Sequence, residues 1–131
     1  ACPGGVAVLQ VHGTDDPCWT YASSSDSCLE DDGGVKLGAE ESLALWRGFN
    51  GCSEQSSELA LPDGDPDDGC QSVRVSWRGC TSAVELLRLD GGGHTWLNGY
   101  AYLSEERVGR VCRDFDFNAL MLEFFDAHPR P

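Results

Sequence analysis

Two ionisable side chains, Asp16 and His94, stand at equivalent places in two similar stretches of this sequence. Asp16 lies in HGTDDP, directly after the apolar run VAVLQV, and His94 lies in DGGGHTW, directly after VELLRL. Open α/β sheets hold their reactive groups on loops at the carboxyl ends of buried strands. A carboxylate and an imidazole placed in this way are two thirds of a charge relay, in which the acid orients the histidine as a general base.

The sequence leaves a structural alternative open for each member of this pair. Asp15 adjoins Asp16 and competes with it as the acid, and either aspartate has an ordinary role in capping the turn before Pro17. His94 is better placed, because the three preceding glycines permit the sharp backbone turn that would present an imidazole over the sheet edge. Its alternative is a local hydrogen bond within that glycine-rich turn. The two segments together indicate a charge relay far more specifically than either segment does alone.

The other candidate side chains have weaker patterns. His12 is interpreted as a strand-end residue that bonds to loop backbone, and His128 as a solvent-facing residue. Trp96 either flanks a substrate pocket or covers the core, and the sequence does not distinguish the two. The acidic run PDGDPDDG lacks the glycine and the glutamate that an EF-hand loop needs at its sixth and twelfth positions. We therefore interpret it as a solvated loop and expect neither a metal ion nor a cofactor.

The strands that would position these residues predict a small α/β sheet. Val6 to Val11 is a continuous apolar run, typical of a parallel strand with neighbours on both sides. An alternating pattern over 72–77 predicts a strand near a sheet edge, and 84–89 predicts the strand that leads to His94. About three strands are expected, within one domain that covers residues 1–131.

Two amphipathic helices accompany the predicted strands. The first covers 39–49, with acidic residues in its first turn and Leu43, Leu45, Trp46 and Phe49 at helical spacing. The second is capped by Asp116 and ends at His128, with its apolar residues on one face. The polar segment from Cys18 to Gly38 predicts a long surface loop, and 98–113 predicts a loop with some helix.

The charge balance excludes several classes of partner. The chain has 131 residues, with 22 acidic against 9 basic side chains and a net charge of -13. Nucleic-acid binding and attraction to anionic membranes both need clustered Lys and Arg, which are lacking here. We therefore expect no nucleic-acid or membrane partner, and no apolar stretch approaches the roughly 20 residues that span a bilayer.

Seven cysteines are dispersed along the chain without the C-x-x-C spacing of zinc sites. Such usage predicts disulfides and an oxidising compartment, so we expect a secreted or periplasmic protein. Cys52 follows the first helix and Cys80 follows the 72–77 strand, so a bridge between them would close a loop of about 28 residues.

The remaining cysteines are harder to assign, and they include Cys70. Cys18 pairs with Cys28 or with Cys112, and spacing does not decide between them. Because seven is odd, at least one cysteine lacks a partner within the chain. Cys2 is the candidate for a bond to another chain, and a buried free thiol is the alternative.

Five segments resemble, in order and spacing, the C-terminal half of secreted α/β-hydrolase esterases of the polyhydroxybutyrate depolymerase and feruloyl esterase group. They are VLQVHGTDDP, LWRGFNGC, VRVSWRGC, ELLRLDGGGHTW and FNALMLEFFDAHPR, and they cover nearly the whole chain. The resemblance implies a Ser-His-Asp ester hydrolase in which Asp16 is the acid and His94 the histidine. It also supports a bridge between Cys52 and Cys80, but it does not indicate which ester is cleaved.

One part of that family's pattern is missing from the sequence. The nucleophilic serine of α/β-hydrolases lies on a G-x-S-x-G elbow that precedes the acid, and no such elbow occurs here. We therefore expect a partial α/β-hydrolase sheet without its nucleophile-bearing half, and no ester turnover by the isolated chain. The expected partner is the N-terminal half of the same enzyme, with Cys2 as a candidate link. The alternative is a disulfide-stabilised binding or interaction module without catalytic activity.

Overall fold

The computed structural model describes residues 5–25, 28 and 34–129, which fold as a mixed four-stranded sheet with helices. In chain order the elements are β1 (Val8–Gly13), α1 (Ala39–Phe49), β2 (Ser56–Ala60), β3 (Gln71–Trp77), β4 (Val84–Asp90), α2 (Glu105–Val108) and α3 (Phe117–Ala127). The strand order is β1-β4-β3-β2, with β1 parallel to β4 and the other two pairs antiparallel. The predicted α/β class is confirmed at this level.

Strand β4 forms the centre of the core, because it has strands on both sides and apolar layers on both faces. Its side chains alternate between two clusters. Val84 and Leu86 pack with β3 valines and with Leu43 of α1. Leu87 and Leu89 pack on the opposite face with Leu97, Cys112 and Phe117. Helix α1 therefore covers one face, and the chain from 97 to α3 covers the other.

The parallel pairing of β1 with β4 positions the two candidate loops. His12 is in register with Arg88 and Gly13 with Leu89. Because the two strands run in the same direction, the loops that follow Gly13 and Asp90 leave from the same edge of the sheet. Residues 16 and 94 are thereby brought together although 78 positions separate them in the sequence.

Three strand predictions need correction. The chain has a fourth strand, β2, whose residues SSELA are all exposed and lack the apolar alternation by which strands are recognised. Because β2 pairs with β3, the 72–77 strand is internal and does not lie at the edge. The first strand begins at Val8 and is half-buried, and within the described residues it pairs with β4 alone.

The predicted helix boundaries agree with the structure, whereas the predicted buried face of the first helix agrees only in part. Helix α1 spans the predicted residues, and the Asp116 side chain accepts a hydrogen bond from Asn118 N at the start of α3. Of the four apolar side chains assigned to the first helix only Leu43 is fully buried, and Leu45, Trp46 and Phe49 are exposed. None of the described helices is long and apolar enough to cross a membrane.

Three disulfides brace the fold at its loops. Cys52–Cys80 joins the chain after α1 to the chain after β3, as predicted. Cys18–Cys28 closes the loop after residue 16, so the alternative pairing of Cys18 with Cys112 does not occur. Cys112 instead bonds Cys70 at the start of β3. Three disulfides are typical of chains that fold in an oxidising compartment. The predicted role of Cys2 lies outside the described residues.

Candidate active site

The structure brings the side chains of Asp16 and His94 into direct contact. Nδ1 of His94 donates a hydrogen bond to Oδ2 of Asp16 at 2.9 Å. The carboxylate is almost completely buried, whereas the imidazole is 49% exposed. The acid is therefore shielded beneath a histidine that faces solvent.

The local turn after β1 holds the other oxygen of this carboxylate. The backbone N–H groups of Cys18 and Trp19 donate to Oδ1 of Asp16 at 2.8 and 2.9 Å. An aspartate that bonds backbone two and three residues ahead closes a tight turn on itself, which is the capping role that the sequence left open. Here one oxygen caps the turn while the other accepts a hydrogen bond from the imidazole, so the capping of the turn and the contact with His94 occur together.

These contacts determine which tautomer of the imidazole is present. An ionised carboxylate only accepts hydrogen bonds, so Nδ1 of His94 must carry a hydrogen. In the neutral ring the lone pair then lies on Nε2, which makes no hydrogen bond within the described residues. A ring that is held at Nδ1 and free at Nε2 has the arrangement of a general base.

Glycine is needed where the two loops meet. A Cβ on Gly13 would lie 2.2 Å from the backbone oxygen of Gly92, so only glycine allows this approach. Gly91 has φ of +84°, a left-handed conformation that side chains other than glycine rarely adopt. The loops are also joined by hydrogen bonds from Asp15 N to Gly92 O and from Gly91 N to the hydroxyl of Thr14.

The backbone of His94 is held by the segment that follows it. His94 N donates to Val108 O at 2.6 Å, and the Tyr102 hydroxyl donates to His94 O at 2.6 Å. The disulfide from Cys112 to Cys70 anchors this segment to the start of β3. These bonds restrict the loop backbone and leave the imidazole oriented mainly by Asp16.

The remaining sequence candidates are placed as follows. Asp15 is exposed and does not touch His94, so the contact belongs to Asp16. His12 bonds loop backbone as interpreted, through Nε2 and the carbonyl oxygen of Trp19 at 2.7 Å. His128 was predicted to face solvent, but it is half-buried against the ring of Phe124.

A cavity of about 870 Å³ opens beside the imidazole. Asp16 and His94 line it together with several exposed apolar side chains, among them Trp19, Leu37, Trp96 and Tyr102. Trp96 is half exposed at this rim and also packs edge-on against Phe117, with ring centroids 5.0 Å apart. It therefore lines the cavity and covers part of the core at the same time, and an apolar group bound here would lie next to the imidazole.

The site is not suited to a metal ion. Among the described residues, Asp16, Cys18 and His94 are the one group of three potential ligands whose donor atoms lie within 4.8 Å of each other. Cys18 is bonded to Cys28, so it has no thiolate to offer and two ligands remain. The acidic run after Leu61 does not converge either, since Asp68 instead accepts backbone hydrogen bonds from Cys70 and Arg113.

Three hydroxyl side chains line the cavity, and none of them is hydrogen-bonded to the imidazole of His94. The hydroxyl of Thr95 donates to Arg110 O, and that of Tyr102 donates to the backbone oxygen of His94. Ser42 lines the cavity from α1 without a hydrogen bond to His94. The described residues therefore supply an acid and a base but no activated nucleophile.

Several residues of this site carried no signal in the sequence. Trp19 supplies a backbone donor to Asp16, and Tyr102 holds the carbonyl of His94 from a segment without periodicity. Thr14 joins the two loops through one hydroxyl. Such contacts depend on where distant loops meet, which the spacing of residues along the chain does not show.

Comparisons of this chain with known proteins do not identify a relative. No family model, no curated protein and no solved structure matches the chain.

Proposed function

We propose that this chain supplies the acid and the histidine of a Ser-His-Asp carboxylic-ester hydrolase of the polyhydroxybutyrate depolymerase and feruloyl esterase type. The hydrogen bond of 2.9 Å from His94 Nδ1 to the buried carboxylate of Asp16 carries the proposal. That bond leaves Nε2 as the proton acceptor of an imidazole that lines the cavity. The cavity supplies room for an ester next to it.

In the proposed reaction, a serine hydroxyl on another polypeptide segment attacks the ester carbonyl carbon while His94 Nε2 takes its proton. The tetrahedral intermediate collapses, and the imidazolium returns the proton to the departing alcohol, which leaves an acyl-serine. Water then attacks the acyl group in a second cycle of the same proton transfers, releasing the acid and the serine. Asp16 remains ionised throughout and stabilises the imidazolium.

One edge of β1 is unpaired within the described residues, and we propose it as the docking place for the segment that carries the serine. Val8 N and Thr14 N both bond to β4 or the chain before it, so the intervening Leu9 and Val11 direct their backbone groups to the opposite side. Strand β1 has no proline, Lys, Arg, Asp or Glu, which are the usual protection of an exposed edge. A parallel strand added here would end beside the loop of Asp16.

The same proposal extends to fold and location. We propose that the mixed sheet is part of an α/β-hydrolase sheet and that the enzyme acts outside the cytosol. Three disulfides support an extracellular or periplasmic location. The net charge of -13 favours a neutral or cationic substrate over a polyanion.

A fluorophosphonate probe, which labels activated serines, tests the proposal. In protein purified from its natural source under non-reducing conditions, we expect the label on a serine within G-x-S-x-G, on a segment bound to or continuous with this chain. The isolated chain should not be labelled, and it should not hydrolyse a p-nitrophenyl ester faster than its His94→Ala variant.

Two results would contradict this assignment. Labelling of Ser42 in the isolated chain, with ester turnover lost in Ser42→Ala, would show that the nucleophile belongs to the chain itself. An unlabelled native protein that lacks a G-x-S-x-G segment would instead favour the disulfide-stabilised binding module.

A further inference from the structure

We propose that His12 is a positioning residue for the acid, which it holds in place through the carbonyl group of Trp19. The inference rests on the proposed function, because it concerns the same pair of Asp16 and His94. It assigns a role to a histidine that neither the relay nor the sequence pattern requires.

The contact between His12 and Trp19 has a defined direction. A carbonyl oxygen only accepts hydrogen bonds, so His12 Nε2 carries a hydrogen and donates it to Trp19 O at 2.7 Å. The N–H of the same Trp19 donates to Oδ1 of Asp16 at 2.9 Å. His12 therefore binds the carbonyl oxygen of the same residue whose N–H group binds the carboxylate of Asp16.

His12 also lies close to the carboxylate itself. Its Nε2 is 3.7 Å from Oδ2 of Asp16, the oxygen that accepts from His94. At that distance no hydrogen bond forms, and the N–H group of His12 is directed at Trp19 O instead. The carboxylate thus lies between two imidazoles, one that it orients and one that helps to orient it.

The surroundings of His12 limit the freedom of its ring. The side chain is nearly buried, and it contacts the ring of Tyr21 edge-on, with centroids 5.9 Å apart. The Tyr21 hydroxyl in turn donates to Glu40 of α1 at 2.9 Å. Strand β1 and the start of α1 therefore fix where the Nε2 donor of His12 points.

Loss of this donor should affect the site more than the fold. Trp19 is exposed, so water can solvate its carbonyl oxygen once the imidazole is gone. The hydrogen bonds from Cys18 N to the carboxylate and from the Trp19 ring to Leu37 O would remain, but the carbonyl of Trp19 would lose its rigid partner. We expect this loss to let the turn shift enough that Oδ2 of Asp16 is no longer directed at Nδ1 of His94. A purely structural role of His12 would lower stability without changing the tautomer of His94.

Two variants of His12 separate these possibilities in the isolated chain. The side-chain amide of Gln reaches about as far as Nε2 of histidine, so His12→Gln keeps a neutral donor to Trp19 O. The shorter amide in His12→Asn is equally polar but does not reach. The readout is the tautomer of neutral His94, measured by long-range ¹H–¹⁵N correlation, together with the downfield resonance of its Nδ1 hydrogen.

We expect the Nδ1–H tautomer of His94 to persist in His12→Gln and to be lost in His12→Asn, with both proteins folded as judged by their amide spectra. A tautomer retained in both variants, or lost in both, would overturn the positioning role. Asp16→Asn serves as the reference. If that substitution leaves the tautomer unchanged, the proposed relay fails, whereas a failure confined to the His12 variants overturns this inference alone.

Discussion

Replacing Asp16 by asparagine should reverse the tautomer of His94, and the structure shows why. Oδ1 of Asp16 accepts two backbone hydrogen bonds, from Cys18 and Trp19. In the variant only the amide oxygen can take that position, because the amide nitrogen would set donor against donor. The NH₂ group is then directed at Nδ1 of His94, which must give up its hydrogen and accept.

The size of the effect follows from the bond that is lost. A hydrogen bond to a charged group contributes about 1.5–3 kcal/mol, and the carboxylate of Asp16 is buried, so little of this is replaced by water. Since 1.4 kcal/mol corresponds to a factor of ten, the ratio of the Nδ1–H to the Nε2–H tautomer should fall by about tenfold to a hundredfold. Nε2 would then carry the hydrogen and could not accept a proton from a hydroxyl group.

The assay is the ¹⁵N chemical shift of both ring nitrogens of His94 at alkaline pH, where imidazole is neutral. Asp15→Asn is the matched control, because it removes the same charge from the neighbouring exposed residue, which does not touch the imidazole. We expect the control to behave as the unmodified protein. An unchanged tautomer in Asp16→Asn, or an equal change in Asp15→Asn, would refute the inferred coupling.

Three further predictions concern the stability of the fold. Gly13→Ala places a Cβ 2.2 Å from a backbone oxygen of the glycine-rich turn and should cost about 1–3 kcal/mol of unfolding free energy, measured by urea denaturation. Gly48→Ala lies at an exposed position of α1 with open space around it, and it should gain about 0.5–1 kcal/mol in the same assay. Replacing Cys52 and Cys80 by serine opens a loop of 28 residues and should lower the free energy of unfolding by about 3–4 kcal/mol, and a loss below 1 kcal/mol would contradict the bracing role. Burial and the hydrogen bond to a glutamate raise the pKa of Tyr21 above the ordinary tyrosine value. The unfolded chain then loses this proton before the folded chain does, so stability should decline as pH rises above about 10, and Tyr21→Phe should flatten that decline in thermal unfolding followed across this range.

The exposed apolar residues mark the limit of sequence-based prediction of the core. Helical spacing correctly located α1, yet Leu45, Trp46 and Phe49 are exposed and Leu43 alone is fully buried. A periodic pattern shows that an apolar face exists, but not how much of that face another element covers. The sequence pattern also missed strand β2 altogether. Its pairing with β3 depends on backbone hydrogen bonds and not on apolar side chains.

By itself the sequence predicted an aspartate and a histidine on two neighbouring loops and the α/β class of the fold. Apolar runs before HGTDDP and DGGGHTW indicated strands, and glycines beside His94 indicated a tight turn, because these properties depend on neighbouring residues alone. Only the tertiary structure showed which of Asp15 and Asp16 contacts His94, how Cys18 is paired, and that Trp19 donates a hydrogen bond to Asp16 and accepts one from His12. Those choices depend on distances between segments far apart in the chain, and such distances exist only once β1 and β4 lie side by side.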